Sequence, residues 1–282
     1  MMKIKHLIGL LNVALCIGIL VACGGEDDNL SEENEQNSGV RYGRIAGFVQ
    51  TIYDRDYNSN DELHSWKNIR EFAYDKDGRI TSYSSRSSSG DLSLQAEYVW
   101  GESSIEANLY GEYYTIFDLK DGKIVSTRNP NGAGGYRNAD FSYDAFGHLS
   151  SILIRSEKRR VSFTWENDRL IRIRDWDGSY YELLYDKSTQ HVKQGYVPPF
   201  MLFEEVFLES GAYDLRVLIL AYPEMFGLKM TELPYAIDCN GAYPKPIEYR
   251  GYFYEFDNGY LQKCNRVCLT REEDVCYSFS WE

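Results

Sequence analysis

Carboxylate and amide side chains are the groups of this sequence best suited to chemistry. Oxygen-bearing side chains fill alternate positions of one segment, as coordination of a hard cation such as Ca²⁺ requires: Asp54, Asp56, Asn58 and Asn60. A calcium loop carries glycine where this segment has Ser59, and a bidentate acid where it has Ser65. The pattern therefore favours an ordinary polar hairpin loop, with calcium as the weaker interpretation, and no other metal site is predicted.

Catalytic motifs are missing from the sequence. No G-x-S-x-G elbow, Walker loop or H-E-x-x-H is present, and the histidines beyond the N-terminal segment are too scattered for a triad: His64, His148 and His191. Paired carboxylates would serve a glycan hydrolase, but most of the acids occupy turn positions. We therefore predict a non-catalytic protein without a cofactor. Hydrolysis of glycans by paired carboxylates is the alternative.

Aromatic side chains are the remaining candidates for binding. The chain has 24 Tyr, 13 Phe and 5 Trp, which supply broad amphipathic faces. Five of them are a candidate stacking surface for sugar rings or a partner chain: Trp100, Trp165, Trp176, Tyr180 and Tyr181. The competing interpretation is that these rings pack against one another as cross-strand pairs within a sheet.

Cysteines cluster near the C-terminus. Four of them form an even set, which in an exported protein indicates disulfides: Cys239, Cys264, Cys268 and Cys276. Zinc is disfavoured because the sequence has no C-x-x-C pair and no histidine after His191. Cys268 and Cys276 lie symmetrically about Glu272, so a hairpin there would pair them and leave Cys239 to reach Cys264. Four cysteines allow three pairings, and this is one of them.

The elements that would position these residues are β-hairpins. A frame F-x-Y-D-x-x-G-x-(I/L) occurs without a gap at residues 72–80 and 141–149. Related copies have shorter turns at 163–170 and 254–261 and a longer one at 116–124. Aromatics two apart share one face of a strand, the Asp and Gly reverse the chain, and the apolar residue begins the return strand. The repeat predicts a mainly β fold with a large curved antiparallel sheet, open or partly closed.

An apolar insertion interrupts the hairpins. The pair of prolines beginning at Pro198 ends the hairpin series, and apolar runs follow as far as Tyr222. A sheet with an apolar face needs a cover, so we predict a short helical insertion over 198–237 that packs against it. C-terminal hairpins bearing the disulfides would follow over 239–282, within a single domain of 41–282.

The N-terminal segment predicts the location of the protein. Two lysines precede an apolar run from Leu7 to Leu20, and the motif L-V-A-C that ends at Cys23 resembles a bacterial lipobox. The resemblance implies that 1–22 is a signal peptide and that Cys23 carries lipid. A plain signal peptide or an uncleaved anchor is the alternative. Residues 23–40 contain acids but neither bases nor aromatics, which predicts a disordered tether.

The hairpin frame resembles the tyrosine-aspartate repeats of large bacterial repeat proteins. From Tyr42 onward the chain also resembles a Bacteroidetes lipoprotein family of unknown function, which shares the apolar segment ending at Gly227 and the following Leu233-Pro234. This resemblance implies a large antiparallel sheet with porin-like curvature. The acidic residues behind Cys23 are similar to the surface-export signal of such lipoproteins, which implies an outer-membrane lipoprotein exposed at the cell surface.

Charge limits the range of partners. The formal net charge of −13 repels phosphate backbones, so nucleic acid is excluded as a partner. Charged residues such as Arg172, Arg174 and Glu182 on the predicted strands argue against a lipid-facing channel wall. We predict a membrane contact through the lipid alone, and a binding or structural module that captures a glycan or an outer-membrane protein.

Overall fold

The computed structural model describes residues 44–54, 65–131, 138–186, 213–228, 230, 232–240, 248–257, 260–268 and 273–281. These residues belong to one compact unit, Tyr42–Glu282. The predicted signal peptide and tether lie outside the described residues, as do Asp56, Asn58 and Asn60 of the weak calcium candidate. Asp54 ends the first strand.

Sixteen antiparallel strands are present in the described residues: β1 Ile45–Asp54, β2 Ser65–Tyr74, β3 Ile80–Ser87, β4 Leu92–Trp100, β5 Ser104–Leu109, β6 Tyr113–Lys120, β7 Lys123–Arg128, β8 Ala139–Tyr143, β9 Leu149–Ile154, β10 Arg159–Glu166, β11 Arg169–Arg174, β12 Tyr180–Leu184, β13 Ala236–Asn240, β14 Glu248–Asp257, β15 Tyr260–Cys268 and β16 Glu273–Trp281. Each strand pairs with the next along the chain. The prediction of a mainly β fold built from antiparallel hairpins is confirmed.

The sheet closes into a barrel, because β1 pairs with β16. Phe48 lies opposite Phe279 in this pair, and the two rings pack with their centroids 5.9 Å apart. The prediction of an open or partly closed sheet is therefore wrong. Closure leaves none of the sixteen described strands with an unpaired edge, which removes the template for edge-to-edge aggregation that an open sheet would expose.

The Asp and Gly of the frame build the turns as expected. Asp75 Oδ1 accepts hydrogen bonds from the amides of Asp77 at 2.9 Å and Arg79 at 2.8 Å, and Gly78 adopts φ +78°. The second gapless copy repeats this geometry at Asp144. The hydrogen bond from the Arg79 amide is the main reason that the pKa of Asp75 is lowered. The turn therefore stabilises the ionised carboxylate.

Strand alternation separates an apolar interior from a polar exterior. In β10, Val161 and Phe163 are buried whereas Arg160 and Thr164 are exposed. The same alternation runs through the barrel, and the inward side chains form one continuous hydrophobic core. Most of the barrel is therefore filled with packed side chains.

A helical segment occupies the interior, which confirms a short helix in the predicted insertion. Helix α1, Tyr213–Ala221, is followed by a 3₁₀ helix, Pro223–Phe226. All seven α1 residues from Leu215 onward are buried, as expected of a helix surrounded by protein. Phe226 meets the inward-facing Phe141 edge-on, with ring centroids 5.8 Å apart. None of the helices in the described part of the chain is long and apolar enough to cross a membrane.

The predicted disulfides are not formed: no bond joins any two of Cys239, Cys264, Cys268 and Cys276. Cys276 lies between the buried Val275 and Tyr277, so it points outward, whereas the other three cysteines are buried in the barrel. Cys268 and Cys276 therefore lie on opposite faces of the sheet. Cys239 lies opposite Glu248 of β14, whereas Cys264 lies opposite Tyr254 on the other side of that strand. The two positions are about 20 Å apart along β14, which exceeds the Cα separation that a disulfide spans.

Candidate functional site

One end of the barrel, which we call the frame end, is sealed by aromatic side chains. It carries the turns at Asp75 and Asp144. Aromatic N–H and O–H groups donate to backbone carbonyls around this end, among them Tyr74 to Ile45, Trp100 to Ile80, Tyr143 to Ile124, Trp165 to Leu149, Tyr185 to Leu170, Tyr254 to Pro234 and Trp281 to Leu261. In most of these pairs, an aromatic at the end of one strand donates to a carbonyl at the start of the preceding strand. The frame aromatics thus connect neighbouring hairpins by hydrogen bonds.

The five aromatics of the predicted stacking surface are not brought together. Trp100 and Trp165 belong to the ring of hydrogen bonds at the frame end and are only half-exposed. Trp176 lies at the opposite end, in the turn between β11 and β12, and is 66% exposed. Tyr180 accepts a hydrogen bond from the side chain of Asn240 at 2.8 Å, and Tyr181 packs against the core.

His148 forms a small polar cluster at the frame end. Its Nδ1 lies 3.2 Å from Asp144 and its Nε2 lies 3.1 Å from Asp168, while its ring stacks on Trp165 at 4.6 Å. Burial raises the pKa of Asp144, but hydrogen bonds from the amide and ring of His148 and from the Phe146 amide outweigh it and hold that pKa below its usual value. The cluster cross-links two adjacent turns.

The 3₁₀ helix is docked on the frame end by polar contacts to the backbone. Lys123 Nζ donates to the carbonyls of Glu224 at 2.8 Å and Gly147 at 3.2 Å. The hydroxyl of Tyr222 accepts a hydrogen bond from the Ile80 amide at 2.6 Å, and burial raises the pKa of Tyr222 to about 12. Gly227 accepts a hydrogen bond from the Leu149 amide at 3.0 Å. The helix therefore closes this end of the barrel interior.

A cavity of about 250 Å³ lies toward the opposite end, which we call the cavity end, where β2 and β4 begin. Its described lining comes from β2 to β4, the turn after β5, and α1: Asn68, Arg70, Tyr83, Ser85, Ser93, Leu94, Tyr110, Arg216, Val217 and Leu220. Tyr83 and Ser85 are buried, and Tyr110 is 47% exposed, so the lining runs from the core to the surface. This cavity is the candidate functional site.

Two arginines line the cavity. Arg70 donates from Nη2 to Gln50 Oε1 at 2.9 Å, and its guanidinium lies 5.0 Å from the ring centroid of Phe48. Arg216 lies on α1 and is only 9% exposed. Sequence reasoning missed both residues, because charged residues on strands and helices are normally read as solvent-facing. The only available signal was the strand period, which places Arg70 on the same face as Phe72.

Metal chemistry has no support in the part of the chain that the structure describes. No group of three or more His, Cys, Asp or Glu side chains in these ranges could hold a metal ion. The aromatic and carboxylate residues of the frame end are engaged in turns and docking, as described above. The cavity therefore offers the arrangement best suited to a ligand.

Comparison with known proteins supports the barrel architecture. The sequence profile of a family described as a domain of unknown function (DUF4595) with porin-like fold matches residues 72–258. A crystal structure of a porin-like protein from Bacteroides uniformis superposes with a TM-score of 0.62 at 13% identity, covering 84% of this chain and 96% of that chain. One from Bacteroides vulgatus has a TM-score of 0.50 at 12% identity, covering 84% and 98%. At such identities the likeness shows the fold alone. No curated protein matches the chain.

Proposed function

Because this chain belongs to the DUF4595 family, a domain of unknown function with porin-like fold, we propose a function suited to a barrel with a filled interior. It is the non-catalytic capture of a small ligand by a lipid-anchored protein at the cell surface. The observation that carries the proposal is the cavity of about 250 Å³ at one end of a barrel whose described inward side chains form a continuous hydrophobic core.

The packed interior favours capture over conduction. A conducting porin needs a polar, water-filled lumen and an outward-facing apolar band. Here the inward residues and α1 fill the barrel with apolar side chains. The outward face carries charge instead, as at the ion pair between Arg172 and Glu182, 2.8 Å apart. Both features are the reverse of a membrane pore.

The anchoring half of the proposal rests on the sequence. The lipobox-like motif ending at Cys23 would attach lipid, and the acidic segment 23–40 would tether the barrel to an outer membrane. The likeness of the acidic residues behind Cys23 to the surface-export signal of Bacteroidetes lipoproteins supports the same location. Metabolic labelling with a clickable fatty acid tests it: the full chain should be labelled and Cys23→Ser should not. Equal labelling of both would refute lipid attachment at Cys23.

Capture is tested by filling the cavity. Ser85 is 5% exposed and lines the cavity, whereas its neighbour Ser84 points outward on the same strand. Purified wild-type protein, Ser85→Phe and Ser84→Phe would each be incubated with cell-envelope and glycan extracts. Retained small molecules would then be identified by mass spectrometry.

The wild type and Ser84→Phe should retain the same compound, and Ser85→Phe should lose it. Retention of no compound by the wild type, or equal retention by Ser85→Phe, would overturn the capture function. Matching thermal melting midpoints of the two variants would establish that the loss reflects the cavity and not unfolding.

A further inference from the structure

The cavity carries positive charge within an acidic protein. The chain has a formal net charge of −13, yet the charged residues in the described lining are two arginines, Arg70 and Arg216, and no acidic residue belongs to that part of the lining. Guanidinium groups recognise carboxylates through two parallel N–H···O hydrogen bonds, with more geometric specificity than a lysine provides. A lining with two arginines and no acid among its described residues therefore favours an anionic ligand.

The uncharged lining indicates what the rest of the ligand must be. Asn68, Ser85 and Ser93 supply amide and hydroxyl groups that both donate and accept hydrogen bonds. Tyr83 and Leu94 supply aromatic and apolar surface beside them. A plain hydrocarbon acid would leave the polar groups without partners at a cost in free energy, whereas a ligand with several hydroxyl groups would satisfy them.

The size of the cavity limits the ligand. A cavity of about 150 Å³ accepts a benzene ring, so a volume of about 250 Å³ is room for one ring with its substituents. We propose that the cavity binds a hydroxylated carboxylic acid of about one sugar ring, such as a uronic acid at the end of a glycan. This inference rests on the capture function proposed above and names its ligand class.

Matched small molecules test the ligand class directly. Isothermal titration calorimetry would compare D-glucuronate and D-galacturonate with D-glucose, which lacks the carboxylate, and cyclohexanecarboxylate, which lacks the hydroxyls. At least one uronate should bind at least about tenfold more tightly than either comparison compound, the size expected from one lost charged or several neutral hydrogen bonds. Equal binding of glucose, equal binding of cyclohexanecarboxylate, or no binding of either uronate would overturn the proposal.

Arginine variants test the residue assignment. Arg70→Gln removes the guanidinium and should weaken uronate binding at least about tenfold. Arg70→Lys keeps the positive charge but not the planar guanidinium, so its uronate affinity should lie between those of the wild type and Arg70→Gln. Arg172→Gln, on the outward face and paired with Glu182, is the matched control and should bind as the wild type does. Unchanged affinity of Arg70→Gln, with an unchanged melting midpoint, would refute a role for this residue.

Failure of this inference is distinguishable from failure of the capture function. If another compound is retained and Ser85→Phe abolishes its retention, the cavity is a binding site and only the uronate class is wrong. If the wild type retains no compound at all, the capture function itself fails.

Discussion

Replacing Gly227 with alanine tests whether the 3₁₀ helix is held on the frame end by close backbone contact. Gly227 has φ +61°, and a Cβ there would lie 2.4 Å from the carbonyl oxygen of Gly147 and 2.7 Å from the amide nitrogen of Leu149. Both atoms are backbone atoms of the turn between β8 and β9, so neither moves aside as a flexible side chain would. The backbone must therefore separate.

Two costs add in this variant. A non-glycine residue in the left-handed region costs about 1–2 kcal/mol. Separation also breaks the hydrogen bond from the Leu149 amide to the Gly227 carbonyl, 3.0 Å long, and leaving such a buried group unsatisfied costs about 1–3 kcal/mol. We expect Gly227→Ala to lower the free energy of unfolding by about 2–5 kcal/mol in total.

Gly122→Ala is the matched control, because Gly122 has φ +74° but no atom within 4 Å of its added Cβ. Gly122→Ala should lower the free energy of unfolding only by the cost of placing alanine in the left-handed backbone conformation, about 1–2 kcal/mol. Urea unfolding followed by tryptophan fluorescence gives both free energies. If Gly227→Ala is no less stable than Gly122→Ala, the close contact between the 3₁₀ helix and the β8–β9 turn does not stabilise the barrel, and the reasoning is refuted.

Three further predictions concern the Asp turns, the hydrogen bonds between hairpins and the cysteine thiols. Because the folded pKa values of Asp75 and Asp144 are lowered, their stabilisation is present above about pH 4 and is lost as pH falls through those values. The double Asn variant should thus show a smaller drop in urea midpoint between pH 6 and pH 3, and an unchanged drop would contradict this. Trp165→Phe leaves the Leu149 carbonyl without its hydrogen-bond donor and should lower the free energy of unfolding in urea by about 1–2 kcal/mol. The exposed Trp176→Phe should lower it by less than about 0.5 kcal/mol, and equal decreases would show that the hydrogen bond between hairpins does not stabilise the barrel. Under native conditions iodoacetamide should label Cys276 first, as mass spectrometry would show, and faster labelling of the three buried cysteines would contradict their inward placement.

Hairpins were predictable from sequence because the interactions that make them are local. The carboxylate of Asp75 reaches amides only two and four residues away, and the glycine that follows adopts a left-handed conformation within the same turn. Tyr74 and Phe72 share a face simply because side chains alternate along a strand. The frame in the sequence is therefore sufficient to predict the turns, and the mainly β class follows.

Long-range geometry is what sequence reasoning missed. The pairing of Phe48 with Phe279 joins the first and last strands of the domain. Whether these two strands meet depends on the twist summed over all sixteen strands, which no local sequence pattern shows. Predicted hairpin pairing of Cys268 with Cys276 failed for a similar reason. Symmetry about Glu272 would place these two cysteines opposite each other, but Cys276 lies opposite Asn265, and this register puts the two sulfur atoms on opposite faces of the sheet.

The candidate site depended most on tertiary structure. Arg70 on β2 and Arg216 on α1 are far apart in the sequence, and each resembles an ordinary surface residue on its own element. They line one cavity because α1 lies inside the barrel, on the side of β2 that carries Arg70. The amino-acid sequence by itself determined the hairpins and the apolar insertion, since alternation and turn chemistry act over a few residues. Closure, the filled interior and the arginine-lined cavity were decided by the tertiary structure, because they depend on which face of every strand becomes the inside.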